Sequence, residues 1–472
     1  VTLNRLWLVV ALALPALLAL LVPLAAVDLA YQVRAGDEIL RTGTLPGVDT
    51  YTFTVAGSPW TDQQWLAQVL LGGGHSLGGW ELLTVLRAAL VAVLAGLLVA
   101  VAMTRGASPR AAAILSLGAF LVAVPALALR PQLFGMVAFA SLLLLAARRH
   151  GHPAQYLAAP LVVALWANLH GSFVLAPLLL GYAWLDDAVQ GRSTRVSLVV
   201  MVLGAAATLV NPFGSQVWAY AAGIGTDATI TGQVSEWQRT SPLTVQGLLF
   251  YASAVVALLI ALRGRGALRW PDWLWLAGLL AIGAWAERGV AWWPLGMVYV
   301  LAPALAAVRE TGGEPRAPAH RAMPPAARAR RLNAIVAAVL VLGLLVALPW
   351  WRPSDPLTGR VGLLSYAPAG LAARLRQLTT PGTRVFAPQT WGSWFEWSVP
   401  DARYFVDSRF ELFPADVWTD YDAVARGADN AADVVDRWRV SILVVPAGSD
   451  PPSGWTAQYR DADGAILTRG GT

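Results

Sequence analysis

Eight ionisable side chains, Asp28, Arg34, Asp37, Glu38, Arg41, Asp49, Asp62 and His75, crowd into the stretch from Asp28 to Trp80, which lies between two long apolar runs. Asp28 follows the first run directly. A carboxylate at such a boundary is partly desolvated, which raises its basicity and suits it to proton abstraction. Tyr31, Arg34 and Glu38 recur at helical spacing and share one face of a short helix, where they either present polar groups to a ligand or are solvated at the membrane surface. Four later positions complement these acids. Arg130 immediately precedes Pro131, His170 sits in the turn WANLHGSF, Glu236-Trp237 lies in a long loop, and Arg288 is the centre of Glu287-Arg288-Gly289. Arginine grips phosphate bidentately, and a tryptophan face stacks on a sugar while a neighbouring acid takes its hydroxyls. Each also has a purely structural role open to it: Arg130 as a helix cap, His170 as a satisfied interfacial histidine, Trp237 in the aromatic belt.

The elements that must position these residues are set by an apolar chain. Of 472 residues 57% are hydrophobic and 13% charged, a balance that marks a polytopic membrane protein. Near-spanning apolar runs predict about eleven helices, at 6–27, 82–103, 111–129, 132–147, 156–169, 172–186, 196–211, 245–262, 271–286, 290–308 and 333–351. The runs at 132–147, 156–169 and 172–186 are short for a crossing and read as half-helices or tilted hairpins. Arginines cluster in every second connection: Arg105 and Arg110; Arg148 and Arg149; Arg192 and Arg195; Arg263, Arg265 and Arg269; and Arg316 to Arg331. By the positive-inside rule this places the N-terminus in the cytoplasm and the C-terminus outside, with the Asp28 to Trp80 loop, Arg130, His170, Glu236 and Arg288 all on the outer face. The net charge of +6 comes from arginine alone and is explained by the same rule, so nucleic acid is not expected as a partner. The chain has no cysteine and no lysine, which excludes disulfides, thiolate metal sites, P-loop lysines and Schiff-base chemistry.

The composition divides the chain into a transmembrane domain at 1–351 that includes the first external loop at 28–80, a Pro/Ala/Arg-rich cytoplasmic linker at 309–332, and an extracytoplasmic domain at 352–472. In that last part TRVFAP, ARYFVD and SILVVP are strand-sized, and 368–378 and 429–438 are helix-like, as in a small α/β domain. Trp391, Trp394 and Trp397 share a helical face, either as core or as a stacking platform, and Asp407 and Arg409 follow a strand, where they form an ion pair or meet a ligand.

An acid at the outer end of the first span, an amphipathic helix bearing an arginine, and the pattern G-x-L-P-G-x-D-x-Y, here Gly43 to Tyr51, resemble the opening of the GT-C superfamily of membrane glycosyltransferases. That superfamily includes protein O-mannosyltransferases, lipid A aminoarabinose transferases and the catalytic subunit of oligosaccharyltransferase. Trp60 to Leu66, Arg130 to Phe134, Trp166 to Phe173, Asn211 to Gly214 and Val406 to Phe413 resemble motifs of a set of bacterial multi-pass membrane proteins over nearly the full chain. The resemblance implies an all-α membrane domain carrying a small α/β extracytoplasmic domain in the bacterial cytoplasmic membrane. It implies a glycosyltransferase that moves a sugar from a polyprenyl-phosphate donor to a glycan, lipid or protein acceptor on the outer face.

On that basis Asp28 is the expected base, with Asp49 as second choice. Arg130, His170 and Arg288 are expected to hold the donor phosphate, and Arg34, Asp62, Glu236 and Trp237 the acceptor or sugar. The family's first-loop acid also acts as a metal ligand, so a divalent cation is the one cofactor left open, although no Asp-Glu or Asp-x-Asp pair stands near Asp28. A non-catalytic GT-C-shaped scaffold for envelope assembly, and a transporter or flippase, are the alternatives. The latter calls for ionisable groups deep within spans and for a repeat-related pair of broken helices, neither of which the sequence displays.

Overall fold

The computed structural model describes residues 1–226, 231–232, 234–311, 327–352, 363–449 and 454–469. All eleven predicted segments coincide with helices, and among the described residues eight helical stretches are long and apolar enough to cross a membrane: Leu3–Leu21, Trp65–Thr104, Pro109–Leu127, Pro131–Arg148, Gly171–Val189, Val245–Arg263, Glu287–Val308 and Ala329–Val346. The chain is a multi-pass membrane protein. Three of the predicted spans, realised as Ala159–Leu169, Arg195–Ala207 and Trp270–Trp285, are shorter than this. Of the three runs flagged as short, only 159–169 remains so, because the others are lengthened by Pro131 at a helix start and by a leading 3-10 turn at Gly171–Val174. Most of the linker, residues 312–326, lies outside the described residues.

Contacts divide the chain into two compact units. The first takes residues 1–23, 80–222 and 235–363 and holds the crossing helices. Its helices start where the sequence supplies caps: Thr2, Ser108 and Thr244 side chains accept from backbone N–H groups of Arg5, Ala111 and Gly247. Two helices form its centre, with 67% of Pro131–Arg148 and 78% of Glu287–Val308 buried, whereas Ala329–Val346 is only 6% buried and presents its leucines and valines outward, as a lipid-facing helix does. The positive-inside rule accounts for Arg149 only in part. Arg149 is buried and ion-paired to Asp186 and to Asp187 (Nε to Oδ1 2.9 Å), and it donates to the Tyr299 hydroxyl at 2.9 Å, so it ties three helices together. Arg87, also buried, donates to the carbonyls of Ala19, Val22 and Pro23 and so satisfies the C-terminal end of the first helix.

The second unit takes residues 24–79, 223–234 and 364–472, so the first loop folds in one body with the C-terminal domain. Five strands, β1 (Arg384–Phe386), β2 (Arg403–Tyr404), β3 (Ile442–Pro446), β4 (Trp455–Arg460) and β5 (Gly464–Arg469), form a sheet of order β2-β1-β3-β5-β4. The β2-β1-β3 side is parallel, and β3, β5 and β4 pair antiparallel. The first three strands are the three predicted runs, and the helices Ala369–Leu378 and Ala431–Arg437 match the predicted helical stretches. The hairpin of β4 and β5 was not predicted. Residues 51–53 extend the sheet beyond β2: the Tyr404 N–H donates to Tyr51 O and the Phe53 N–H to Tyr404 O, each at 3.1 Å. Phe53, Phe386, Phe405 and Trp418 pack in the core beneath. The predicted short helix is Leu29–Thr42, closed by Gly43 in the left-handed conformation at φ 69°. It lies backbone to backbone against Trp65–Thr104, for a Cβ on Gly36 would sit 1.9 Å from Gln68 O. That long helix is broken at Gly78 and Gly79, the latter at φ 64°.

Candidate functional site

In the first unit, four separate turns bring polar side chains together. Arg130 has extended backbone just ahead of Pro131. Its Nη1 donates to Glu236 Oε1 at 2.6 Å. Glu236 and Trp237 belong to the 3-10 turn Ser235–Trp237, held from behind by the Glu287 N–H donating to Gln238 O at 3.0 Å and by Thr240 Oγ1 donating to Gly283 O. Arg288, in the 3-10 turn Glu287–Ala291, places its guanidinium 5.5 Å from the centre of the Trp237 ring, a cation–π contact. Its Nη2 lies 3.5 Å from His170 Nε2.

The tautomer of His170 follows from its other nitrogen. The Ser172 backbone N–H donates to Nδ1 at 3.1 Å, and the Ser172 hydroxyl lies 2.7 Å from the same atom while accepting from Trp166 Nε1. An Nδ1 that accepts leaves the proton of a neutral imidazole on Nε2. Burial, then Arg288 and Arg130, push the His170 pKa well below its ordinary value, so the ring is neutral. The Nε2–H and an Arg288 N–H therefore meet as two donors, an arrangement that favours an acceptor oxygen between them. Glu236 is held ionised: burial works against its charge, but Arg130 and Arg288 outweigh it and lower its pKa. Gly135, on the first turns of Pro131–Arg148, lets that helix approach, since a Cβ there would lie 2.8 Å from Trp166 Nε1 and 2.9 Å from Ser172 Oγ.

The second unit holds the remaining expected residues. Asp28 is buried at the start of helix Leu29–Thr42. With burial first, Asp28 then raises the pKa of the fully buried Tyr31. Asp49 is completely engaged. Its Oδ1 takes the Tyr51 N–H and an Arg409 Nη2 at 2.5 Å, and its Oδ2 takes the Thr52 N–H and hydroxyl. Arg409 also pairs with Asp407 through Nε at 2.9 Å, and its guanidinium is boxed by the rings of Tyr51 (4.7 Å) and Trp60 (4.5 Å). Arg34 is spent within the same unit: it pairs with Glu38 at 3.0 Å, donates to Glu396 O at 2.7 Å and covers the Tyr51 ring at 4.1 Å. The carboxyl of Glu396 is entirely buried, and burial, then Asp407, push its pKa far up. Asp62 is buried, accepts from Gln68 Nε2 at 2.7 Å on Oδ1 and has no hydrogen-bond partner on Oδ2 among the described residues. Burial raises its pKa to about 7.

Ser172 and Glu396 did not emerge as site residues from the sequence. Ser172 is legible only as the second residue after His170, and Glu396 only as the single acid within TWGSWFEW. Trp394 and Trp397 pack on each other at 5.2 Å. Among the described residues no group of three or more His, Asp or Glu side chains is placed to hold a metal ion.

No protein-family model matches the sequence, and no curated protein matches it. Among solved structures the chain is similar along its full length to the arabinofuranosyltransferase AftD from Mycobacteria, at TM-score 0.57 and 19% identity, and spans 40% of that protein. It is similar over 94% of its length to the Archaeoglobus fulgidus oligosaccharyltransferase tethered to an acceptor peptide, at TM-score 0.58 and 14% identity, with 69% of that chain covered. ArnT from Cupriavidus metallidurans, in the apo state, matches over 98% of this chain and 97% of its own, at TM-score 0.50 and 16% identity. At such identities the likeness is one of architecture: the chain has the fold of the GT-C membrane glycosyltransferases.

Proposed function

We propose that the protein is an integral membrane glycosyltransferase that takes a sugar from a polyprenyl-phosphate donor and passes it to an acceptor on the outer face of the cytoplasmic membrane. The observation that carries this reading is the set Arg130, His170 and Arg288, drawn from three separate turns of the first unit, with Arg288 Nη2 3.5 Å from His170 Nε2 and Arg130 on Glu236. An oxyanion between them would accept from both, and the Arg130 guanidinium adds a second positive charge. Transfer requires that the bond between the anomeric carbon and the phosphate oxygen break as the acceptor oxygen forms its bond to that carbon. The leaving phosphate keeps the bonding pair and gains charge, which two guanidiniums and one imidazole N–H stabilise. The acceptor's proton goes to a carboxylate, the role proposed for Asp28. Trp237 offers a face to the sugar ring. Asp49, with both oxygens filled, is proposed to hold the loop in place, and Asp62 to contact the acceptor.

The test is sugar transfer from a purified polyprenyl-phosphate-linked donor by the detergent-solubilised chain. Asp28→Asn is expected to abolish turnover while leaving donor binding intact, and Arg288→Gln to weaken donor binding. Normal turnover by Asp28→Asn would remove the base assignment.

A further inference from the structure

Glu236 does not fit a simple anion site. A carboxylate 2.6 Å from the Arg130 guanidinium occupies the ligand position that a phosphate oxygen needs, and Arg288 holds it ionised as well. The turn that carries it is pinned on its C-terminal side by the Gln238 carbonyl to Glu287 and by Thr240 to Gly283, with Tyr251 donating to Thr240 O at 3.0 Å. Among the described contacts, what holds Ser235–Trp237 over the site is the Glu236 ion pair and the cation–π contact of Trp237 with Arg288. Both contacts use the guanidiniums that are to bind phosphate. An incoming phosphate oxygen therefore competes with the latch itself.

We infer that Glu236 is an internal placeholder for the donor's phosphate: with no donor it neutralises Arg130 and closes the Ser235–Trp237 turn over the site, and a phosphate that takes Arg130 releases the turn about Gln238. This rests on the phosphate-site reading above and adds to it the order of events. The turn opens because the anion has bound, so Trp237 is set free to meet the sugar only when a donor is present. The exchange is of one anion for another on the same cation, so Arg130 keeps an anionic partner throughout. A carboxylate partly exposed to water, as Glu236 is, suits a contact that must be broken in every cycle.

The absence of cysteine makes a single-label experiment direct. The full chain in detergent, carrying a nitroxide on Ser235→Cys, is titrated with farnesyl phosphate, and affinity is measured in parallel on unlabelled protein. In the parent the label should gain mobility as farnesyl phosphate binds. In Glu236→Gln the label should be mobile from the start, and affinity should rise by about two- to fivefold, the worth of a partly exposed ion pair. Glu236→Ala repeats the comparison should the glutamine keep a hydrogen bond to Arg130, and thermal unfolding confirms that both variants are folded. Farnesyl phosphate that binds in an Arg288-dependent way, with affinity unchanged or weaker in both Glu236 variants and with a silent label, would overturn the placeholder and leave the phosphate site standing. Affinity indifferent to both Arg130→Gln and Arg288→Gln would remove the phosphate site, and the placeholder with it.

Discussion

Replacing Arg409 by methionine should unfold the second unit's polar centre. Arg409 is 1% exposed and Asp49 1%, Asp407 and Glu396 0%, so one guanidinium serves three carboxyls with no water to share the load. Burial, then Asp407, push the Glu396 pKa far up, and the carboxyls that pair with Arg409 are those of Asp49 and Asp407. Methionine fills much of the volume but leaves two buried carboxylates facing each other, and removal of one partner from a buried ion pair costs about 3–5 kcal/mol. Loss of the cation–π contacts with Tyr51 and Trp60 adds roughly 0.5–2 kcal/mol. Because Asp49 belongs to the first loop and Asp407 to the C-terminal segment, the loss should appear as cooperative release of the loop. Protease cleavage between residues 43 and 60 in the detergent-solubilised protein measures it, alongside thermal unfolding. Asp49→Asn combined with Arg409→Met should recover part of the loss, since one of the two facing carboxylates is gone. Arg426→Met breaks a pair whose arginine side chain is 77% exposed and is the control, expected to change stability by less than about 1 kcal/mol. If Arg409→Met behaves like that control, the account of the cluster as the joint between loop and tail is wrong.

Asp62 should make stability fall with rising pH. Its folded pKa of about 7 lies above its ordinary 3.8, so the folded protein keeps a proton that the unfolded chain releases. Stability from this group is complete below about pH 4 and declines through pH 7, to a loss on the order of 4 kcal/mol by pH 8. Asp62→Asn, which keeps the acceptor for Gln68, should raise the unfolding temperature at pH 8 and leave it nearly unchanged at pH 4; equal effects at the two values would contradict the shift. Gly36→Ala and Gly73→Ala should differ in sign. The first pushes a methyl into Gln68 O and should cost about 1–3 kcal/mol, whereas the second meets only Leu40 Cδ1 at 3.6 Å and should gain about 0.5–1 kcal/mol as a helix substitution, both read from chemical denaturation.

Span positions were legible in the sequence because the bilayer demands long apolar helices, and the three strands β1 to β3 because they are short, buried and bounded by Pro, Asp or Gly. Much of the site was legible as well. Arg130, His170 and Arg288 stood out as costly groups at helix ends, and the structure brings Arg130 to Glu236 and His170 to Arg288. What escaped was pairing over long sequence separations. Nothing near Asp49 announces that its partner is Arg409, 360 residues away, or that Thr52 makes a β-bridge with Tyr404. Arg149 shows the same gap on another scale, for a loop arginine and a buried arginine paired to Asp186 and Asp187 have the same sequence signature. The β4–β5 hairpin was missed because β4 has mostly exposed residues and a bulge at Ala457 and Tyr459, which erases the alternation that marks a strand.

The two clusters sort charge in a way that bears on chemistry. In the first unit cations outnumber acids, since Arg130 and Arg288 share Glu236. In the second the acids outnumber Arg409. A leaving phosphate is stabilised by the first kind of site and an acceptor hydroxyl is activated by the second, and the two demands conflict if the groups mix. A carboxylate whose oxygens are taken up by other donors has none left to receive an acceptor's proton. Asp49 and Asp407 are engaged in this way, because both give oxygens to Arg409. Asp62 shows the opposite limit: burial without a guanidinium contact carries its pKa to about 7, the range in which a carboxylate takes a proton readily at neutral pH. The first loop thus contains one acid engaged by Arg409, Asp49, and one whose pKa burial has raised, Asp62. A base drawn from this loop must be one that Arg409 has not claimed, which is why Asp28→Asn is expected to stop turnover while Asp49→Asn is expected to loosen the fold.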